Sequence, residues 1–206
     1  MSDLIQEKLV GGLAVLQAVA ADSALHATLK EAAERTASAL KCGHKLMVAG
    51  NGGSAADAQH LVAEFVSRLC EDRPAMRAVA LTTDSSILTA VGNDYGYERV
   101  FARQIEALGH AGDVFMGIST SGSSPNVLRA LELSREMGIA TIGLCGRTGG
   151  RMPPLCDYCI RIPSDVTMYI QQVHLALEHI FCMIVERIYF GQNQLAATGA
   201  AAAPEE

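Results

Sequence analysis

Tryptophan is absent from this chain of 206 residues, and aromatic residues of any kind make up only 5% of it. There is no run of Lys or Arg, and the formal charge is −6. A basic face interleaved with stacking rings is therefore missing, which argues against nucleic acid as a partner. Proline is scarce, six against nineteen glycines, which suits tight turns between regular elements rather than a stiff linker. No apolar run of bilayer length precedes the core. The stretch "VGGLAVLQAVAADSA" (10–24) is short and glycine-rich, and it follows the net acidic "MSDLIQEKL", where an export signal carries positive charge. The expectation is a soluble, cytoplasmic protein with no membrane partner.

What the chain does have is apolar residues, half of the total, enough for one sizeable core but short for two. The six cysteines (Cys42, Cys70, Cys145, Cys156, Cys159, Cys182) sit at irregular spacings among apolar residues and read as free buried thiols. "CDYC" (156–159) has the spacing of half a zinc site, but no second pair or nearby histidine completes it.

Five short apolar runs ending in small or turn-forming residues read as buried strands: 45–50, 78–82, 113–119, 140–146 and 158–163. Helical patterns cover 3–21, 23–42, 54–70, 96–109, 124–137 and 166–190, with Asp22 or Ser23 as the cap between the first two. Strands alternating with helices predict an α/β, three-layer sandwich around a central five-stranded parallel sheet, with additional N-terminal helices. The chain reads as a single domain over 1–206. Helices occupy 1–42, the α/β core 43–190, and a low-complexity tail expected to fray 191–206.

Two loops at strand ends carry the chemistry. "GISTSGSSPNV" (117–127) leaves a strand, offers Ser119, Thr120 and Ser121, turns at Gly122 and enters a helix through Ser124-Pro125, a capping hydroxyl before a proline. The free amides and positive end of that helix suit a phosphate ester without any cation. The bland alternative is that serine and glycine merely fill a loop. "VAGNGGSAADAQH" (48–60) has the same design, with a turn through Asn51, Gly52 and Gly53 and a helix start at Ser54, Asp57 making an approximate capping box. Gly50, Gly52 and Ala55 match a dinucleotide fingerprint, but Asp84 lies too far along to be its acidic partner. No nucleotide cofactor is expected.

His60 and Glu64 are one helical turn apart and share a face. A solvated surface pair is the ordinary explanation for that spacing. The very apolar "YIQQVHLALEHIFCMIVERI" (169–188), however, carries Gln171, Gln172, His174, Glu178 and His179, and polar groups on a buried helix need partners. Gln171 and His179 are separated by roughly 12 Å along an ideal helix and by about 80° around it. Meeting at one small ion within a single chain would strain both, which predicts a site shared between subunits.

Four segments, "GNGGSAADAQH…AEF", "VGNDYGYERVFARQ", "GISTSGSSPNV" and "IQQVHLALEH", resemble the sedoheptulose 7-phosphate isomerases of the SIS (sugar isomerase) fold family, from the first helices to about residue 190. The resemblance implies a flavodoxin-like SIS core and a homotetramer with active sites at subunit interfaces. It implies a sugar-phosphate site made of Asn51, Gly52, Gly53, Ser54, Glu64, Asn93, Asp94, Ser119, Thr120, Ser121, Ser124 and Gln171. It also implies one zinc per subunit held by His60, Glu64, Gln171 and His179. The implied reaction moves a carbonyl from C2 to C1 of a ketose phosphate, an early step of ADP- or GDP-heptose and lipopolysaccharide synthesis. That reaction needs a base and an acid, roles assigned here to Glu64 and His179. Three alternatives stand beside it: a non-enzymatic SIS-domain protein that binds the replication initiator, which "QIEALGHAGDV" also resembles, a sugar-phosphate-sensing module, and an isomerase of a shorter sugar phosphate.

Overall fold

A computed structural model describes residues 2–70 and 72–191. The tail expected to fray therefore lies, apart from Gly191, outside the described residues. Two helices open the chain, α1 (Ser2–Ala20) and α2 (Ser23–Lys41), set at 74° to each other. Asp22 is the cap between them, its carboxylate accepting from the Leu25 amide at 2.9 Å. Five strands follow: β1 (Leu46–Gly50), β2 (Ala78–Ala80), β3 (Val114–Ser119), β4 (Ala140–Cys145) and β5 (Tyr158–Arg161). They form one parallel sheet in the order β2-β1-β3-β4-β5.

Alternation of side chains along each strand sorts the core into two clusters. Leu46, Val48, Val114, Met116 and Ile118 face α2, α3 (Gly53–Val66) and α7 (Thr167–Phe190). Met47, Ala49 and Phe115 face the other layer, α4 (Ser85–Tyr95), α5 (Ala102–Leu108) and α6 (Pro125–Glu136). Helices on both faces explain why β1 and β3 are buried throughout. α7 is long and apolar enough to cross a membrane, yet its Ile170, Val173, Leu177, Phe181 and Val185 are core residues.

Two expectations need correction. The segment between β2 and residue 96, for which no helix was expected, forms α4, and 96–109 is not one helix: a 3-10 turn at Tyr97–Arg99 precedes α5. α4 buries no residue completely, so it lacks the apolar stripe by which a helix is read from sequence. Its one sequence signal is Asp84, the N-cap, accepting from Ile87 N at 2.9 Å. Nor are all six thiols buried. Cys42, at the C-terminal cap of α2, and Cys70, in the turn after α3, are exposed.

Candidate active site

The sheet order reverses between β1 and β3, because the chain leaves β1 toward β2 on one side and returns to β3 on the other. Ligands of open α/β sheets bind at the carboxyl ends of the strands at this switch point. The loops after β1 and β3 are the two glycine-serine loops.

In the first, Gly52 takes φ +58° and forms the N-cap of α3 without any side-chain cap. Ser54 is not the cap, as the sequence suggested; it lies inside the helix, buried at 3% exposure. Nor does Asp57 close a capping box, since its Oδ2 is buried with no partner. In the second loop Gly122 takes φ +61°, and a Cβ there would fall 1.9 Å from the Gly149 carbonyl oxygen. Only glycine fits. Ser124 does stand at the N-cap of α6, but its hydroxyl caps nothing; it pairs with Ser119 Oγ at 2.9 Å, and Ser119 Oγ lies 3.4 Å from Ser121 Oγ. The hydroxyls thus organise one another at the start of α6, where Pro125 has no N–H and the Val127 and Leu128 amides are already taken by Asn126 Oδ1 and Ser124 O. Thr120 and Ser121 border a cleft of about 190 Å³ reaching Thr167 at the start of α7. A cation does stand at its rim, contrary to the cation-free expectation: Arg147, paired with Asp165 at 2.8 Å. A second cleft, about 430 Å³, is lined by Asn51, Gly96, Tyr97, Ser124 and Asn126. Asn93 and Asp94 are exposed on the last turn of α4, bonded to each other at 2.7 Å.

The helix launched by the first loop carries two members of a cluster of ionisable side chains. On α3, His60 Nε2 lies 3.4 Å from Glu64 Oε1. Across the gap, His179 of α7 brings its Nε2 to 2.8 Å from that of His60, the rings 5.0 Å apart and edge-on. Ligand atoms of His60, Glu64 and His179 all lie within 4.8 Å of one another, so these three could hold a metal ion. Gln171 is elsewhere. Its amide packs on Gly53, where a Cβ would meet Gln171 Nε2 at 2.4 Å; Gly53 precedes His60 by about 10 Å of helix.

Behind this trio the α3–α7 contact is polar. Arg73, which the sequence reading missed, pairs with Glu186 of α7 at 2.6 Å, both side chains almost fully buried. The same guanidinium donates to the carbonyls of Glu64 and Phe65, groups that a helix end leaves without partners. It therefore clamps the end of α3 against α7. Deeper still, Glu178 is 1% exposed with neither oxygen partnered. Burial, aided by the nearby Asp57 carboxylate, pushes its carboxyl up to about 8. Burial also raises Asp57 and holds the His174 imidazole down to about 4, leaving it neutral. "CDYC" takes no part: Cys159 Sγ lies 3.7 Å from Cys145 Sγ, and no metal-binding cluster among the described residues includes a cysteine.

Comparison with known proteins places these features. Residues 13–146 and 98–199 match the SIS domain. The chain is 50% identical over 190 residues to a phosphoheptose isomerase of Aneurinibacillus thermoaerophilus, covering 92% of this chain and 96% of that one. It is 52% identical over 179 residues to the phosphoheptose isomerase of Burkholderia pseudomallei (strain K96243), covering 87% and 91%. In three dimensions it is similar to the phosphoheptose isomerase of Neisseria gonorrhoeae, with a TM-score of 0.84 at 38% identity, covering 90% of this chain and 98% of that one.

Proposed function

The chain belongs to the phosphoheptose isomerase family of SIS-domain proteins, and on that footing we propose that it converts D-sedoheptulose 7-phosphate to D-glycero-D-manno-heptose 7-phosphate. The observation that carries this reading is the meeting, within 4.8 Å, of His60 and Glu64 on the helix launched from the first glycine-serine loop with His179 of α7.

The phosphate binds to the hydroxyls of Ser119, Thr120, Ser121 and Ser124 at the N-terminal end of α6, where the helix dipole favours an anion. Asn51, Gly52, Gly53, Ser54, Asn93 and Asp94 bind the sugar chain. Glu64 removes a proton from C1 and returns one to C2. His179 donates a proton to the C2 oxygen and relieves the C1 hydroxyl of its own, so the reaction is redox-neutral and needs no nicotinamide. Two imidazole nitrogens and a carboxylate oxygen suit zinc. Zinc held by His60, Glu64 and His179 supplies Lewis acidity toward the sugar oxygens. The placement of Gln171 at Gly53 favours a fourth ligand arriving across a subunit interface. Exposed Leu4, Ile5, Leu9, Val10 and Leu13 on α1 give an apolar face suited to a second copy, in keeping with a homotetramer. The enzyme acts in the cytoplasm, feeding heptose synthesis for lipopolysaccharide or another surface glycan.

Purified protein incubated with sedoheptulose 7-phosphate is expected to form the aldose, whereas Glu64→Gln and His179→Ala lose at least about 100-fold in kcat, the scale of a positioned acid or base. Equal rates in all three proteins would remove both roles. An active, strictly monomeric protein would remove the shared site.

A further inference from the structure

Asn126 follows the hydroxyl loop and is 2% exposed. Its side chain reaches across the switch point to Asn51 in the other loop. Asn51 Nδ2 donates to Asn126 Oδ1 at 2.9 Å, and Asn126 Nδ2 donates to Asn51 Oδ1 at 2.8 Å. The direction of this exchange is fixed from outside the pair. The backbone N–H of Val127 meets Asn126 Oδ1 at 3.0 Å and can only donate, so that atom must be the carbonyl oxygen. The Asn126 amide nitrogen then points at Asn51 and demands an oxygen there. The Tyr97 hydroxyl, at 3.4 Å, donates to the same Asn51 oxygen. Both lone pairs of that oxygen are engaged, and one of the two Asn51 N–H groups is used on Asn126. What remains of Asn51 at the 430 Å³ cleft is a single N–H donor.

We infer that Asn126 and Tyr97 are positioning residues that orient the Asn51 amide so that it presents an N–H donor, and not its carbonyl, to a substrate oxygen. This rests on the sugar-phosphate isomerase reading above. An N–H donor suits an oxygen that carries lone pairs and gains negative charge during the reaction, such as the sugar carbonyl becoming an enediolate. An unoriented amide would offer its carbonyl half the time and repel that charge. The same pair ties the turn after β1 to the start of α6, so sugar and phosphate subsites share one hydrogen-bonded hinge.

The test is a double-mutant cycle on the full chain, read in kcat/KM for sedoheptulose 7-phosphate and, on the same proteins, in its Kd by calorimetry. Asn126→Ala is expected to lower kcat/KM at least about tenfold, and Tyr97→Phe about two- to fivefold, the scale of one hydrogen bond. In an Asn51→Ala background, Asn126→Ala should change kcat/KM less than about twofold, because the amide it orients is gone. Losses that multiply instead would overturn the inference, since they would mark Asn126 as supporting the fold by itself. Asn126→Leu keeps the volume but withdraws the donor, and serves if the alanine variant does not fold. It should lose as much kcat/KM as Asn126→Ala; wild-type activity in this variant overturns the inference. Binding without turnover in the wild type sinks the isomerase reading alone, and the cycle is then read in Kd.

Discussion

The two helical layers cover the same sheet, yet they treat polar groups differently. In the layer of α4, α5 and α6 the buried polar side chains are satisfied: Gln104 donates to the carbonyls of Leu81 and Val100 at 2.9 Å each, Ser134 donates to Ala130 O at 2.8 Å, and Asn126 is paired with Asn51. On α3 and α7 sit all the buried side-chain atoms without partners among the described residues: Asp57 Oδ2, His174 Nδ1 and both oxygens of Glu178. Beside them lie the buried Arg73–Glu186 pair and the His60, Glu64 and His179 trio. One layer is built for stability. The other gives up stability to keep buried ionisable groups without partners, behind a trio that stays open to solvent.

The largest expected difference between the layers is at Arg73. Replacing it by Met leaves Glu186 charged and unpaired in the core and frees the carbonyls at the end of α3, so urea unfolding should show a loss of about 3–5 kcal/mol. A loss below 1 kcal/mol would break the comparison at its strongest point. Next comes Glu178. Its folded value, about 8, lies above the ordinary carboxyl value of 4.5, so the folded state holds a proton that the unfolded state releases. Stability from this group is therefore complete below pH 4.5 and declines until pH 8. Below about pH 6.5 the buried neutral His174 opposes it, because lowering the pH favours protonation in the unfolded chain. Between pH 6.5 and 8 wild type should therefore lose about 2 kcal/mol relative to Glu178→Gln, on 1.36 kcal/mol per unit. Parallel stability curves for the two proteins would contradict the burial of that carboxyl beside Asp57. The smallest effect belongs to the quiet layer. Gln104→Leu removes both N–H donors of the amide and leaves two carbonyls without that partner, a cost of about 1–2 kcal/mol with no dependence on pH.

The regular elements were legible because their signals are local. β1 and β3 announce themselves as apolar runs, and Asp22 caps as a cap residue should. Where the local signal was thin the reading failed. α4, with Gly92 and no fully buried residue, gave no helical signal, and the hydroxyl of Ser124 found a better partner in Ser119 than in the helix it was expected to cap. The candidate site was half legible. His60 and Glu64 lie four residues apart, so one helix face predicts their meeting. Arg73 and Asn126 act across 113 and 75 residues, and no pattern in a single sequence marks such partners.

By itself, then, the sequence determined which segments pleat and which coil, which loops offer hydroxyls and amides at strand ends, and, through four separated motifs, which family the chain resembles. These properties depend on side-chain periodicity and turn chemistry within a few residues. Tertiary structure alone decided that β1 and β3 lie side by side, that α3 rests along α7, and that His179 arrives 2.8 Å from His60 across 119 residues of chain. Sheet order and helix packing are settled by burying the whole apolar surface at once, and that is a property of the assembled layers rather than of any stretch within them.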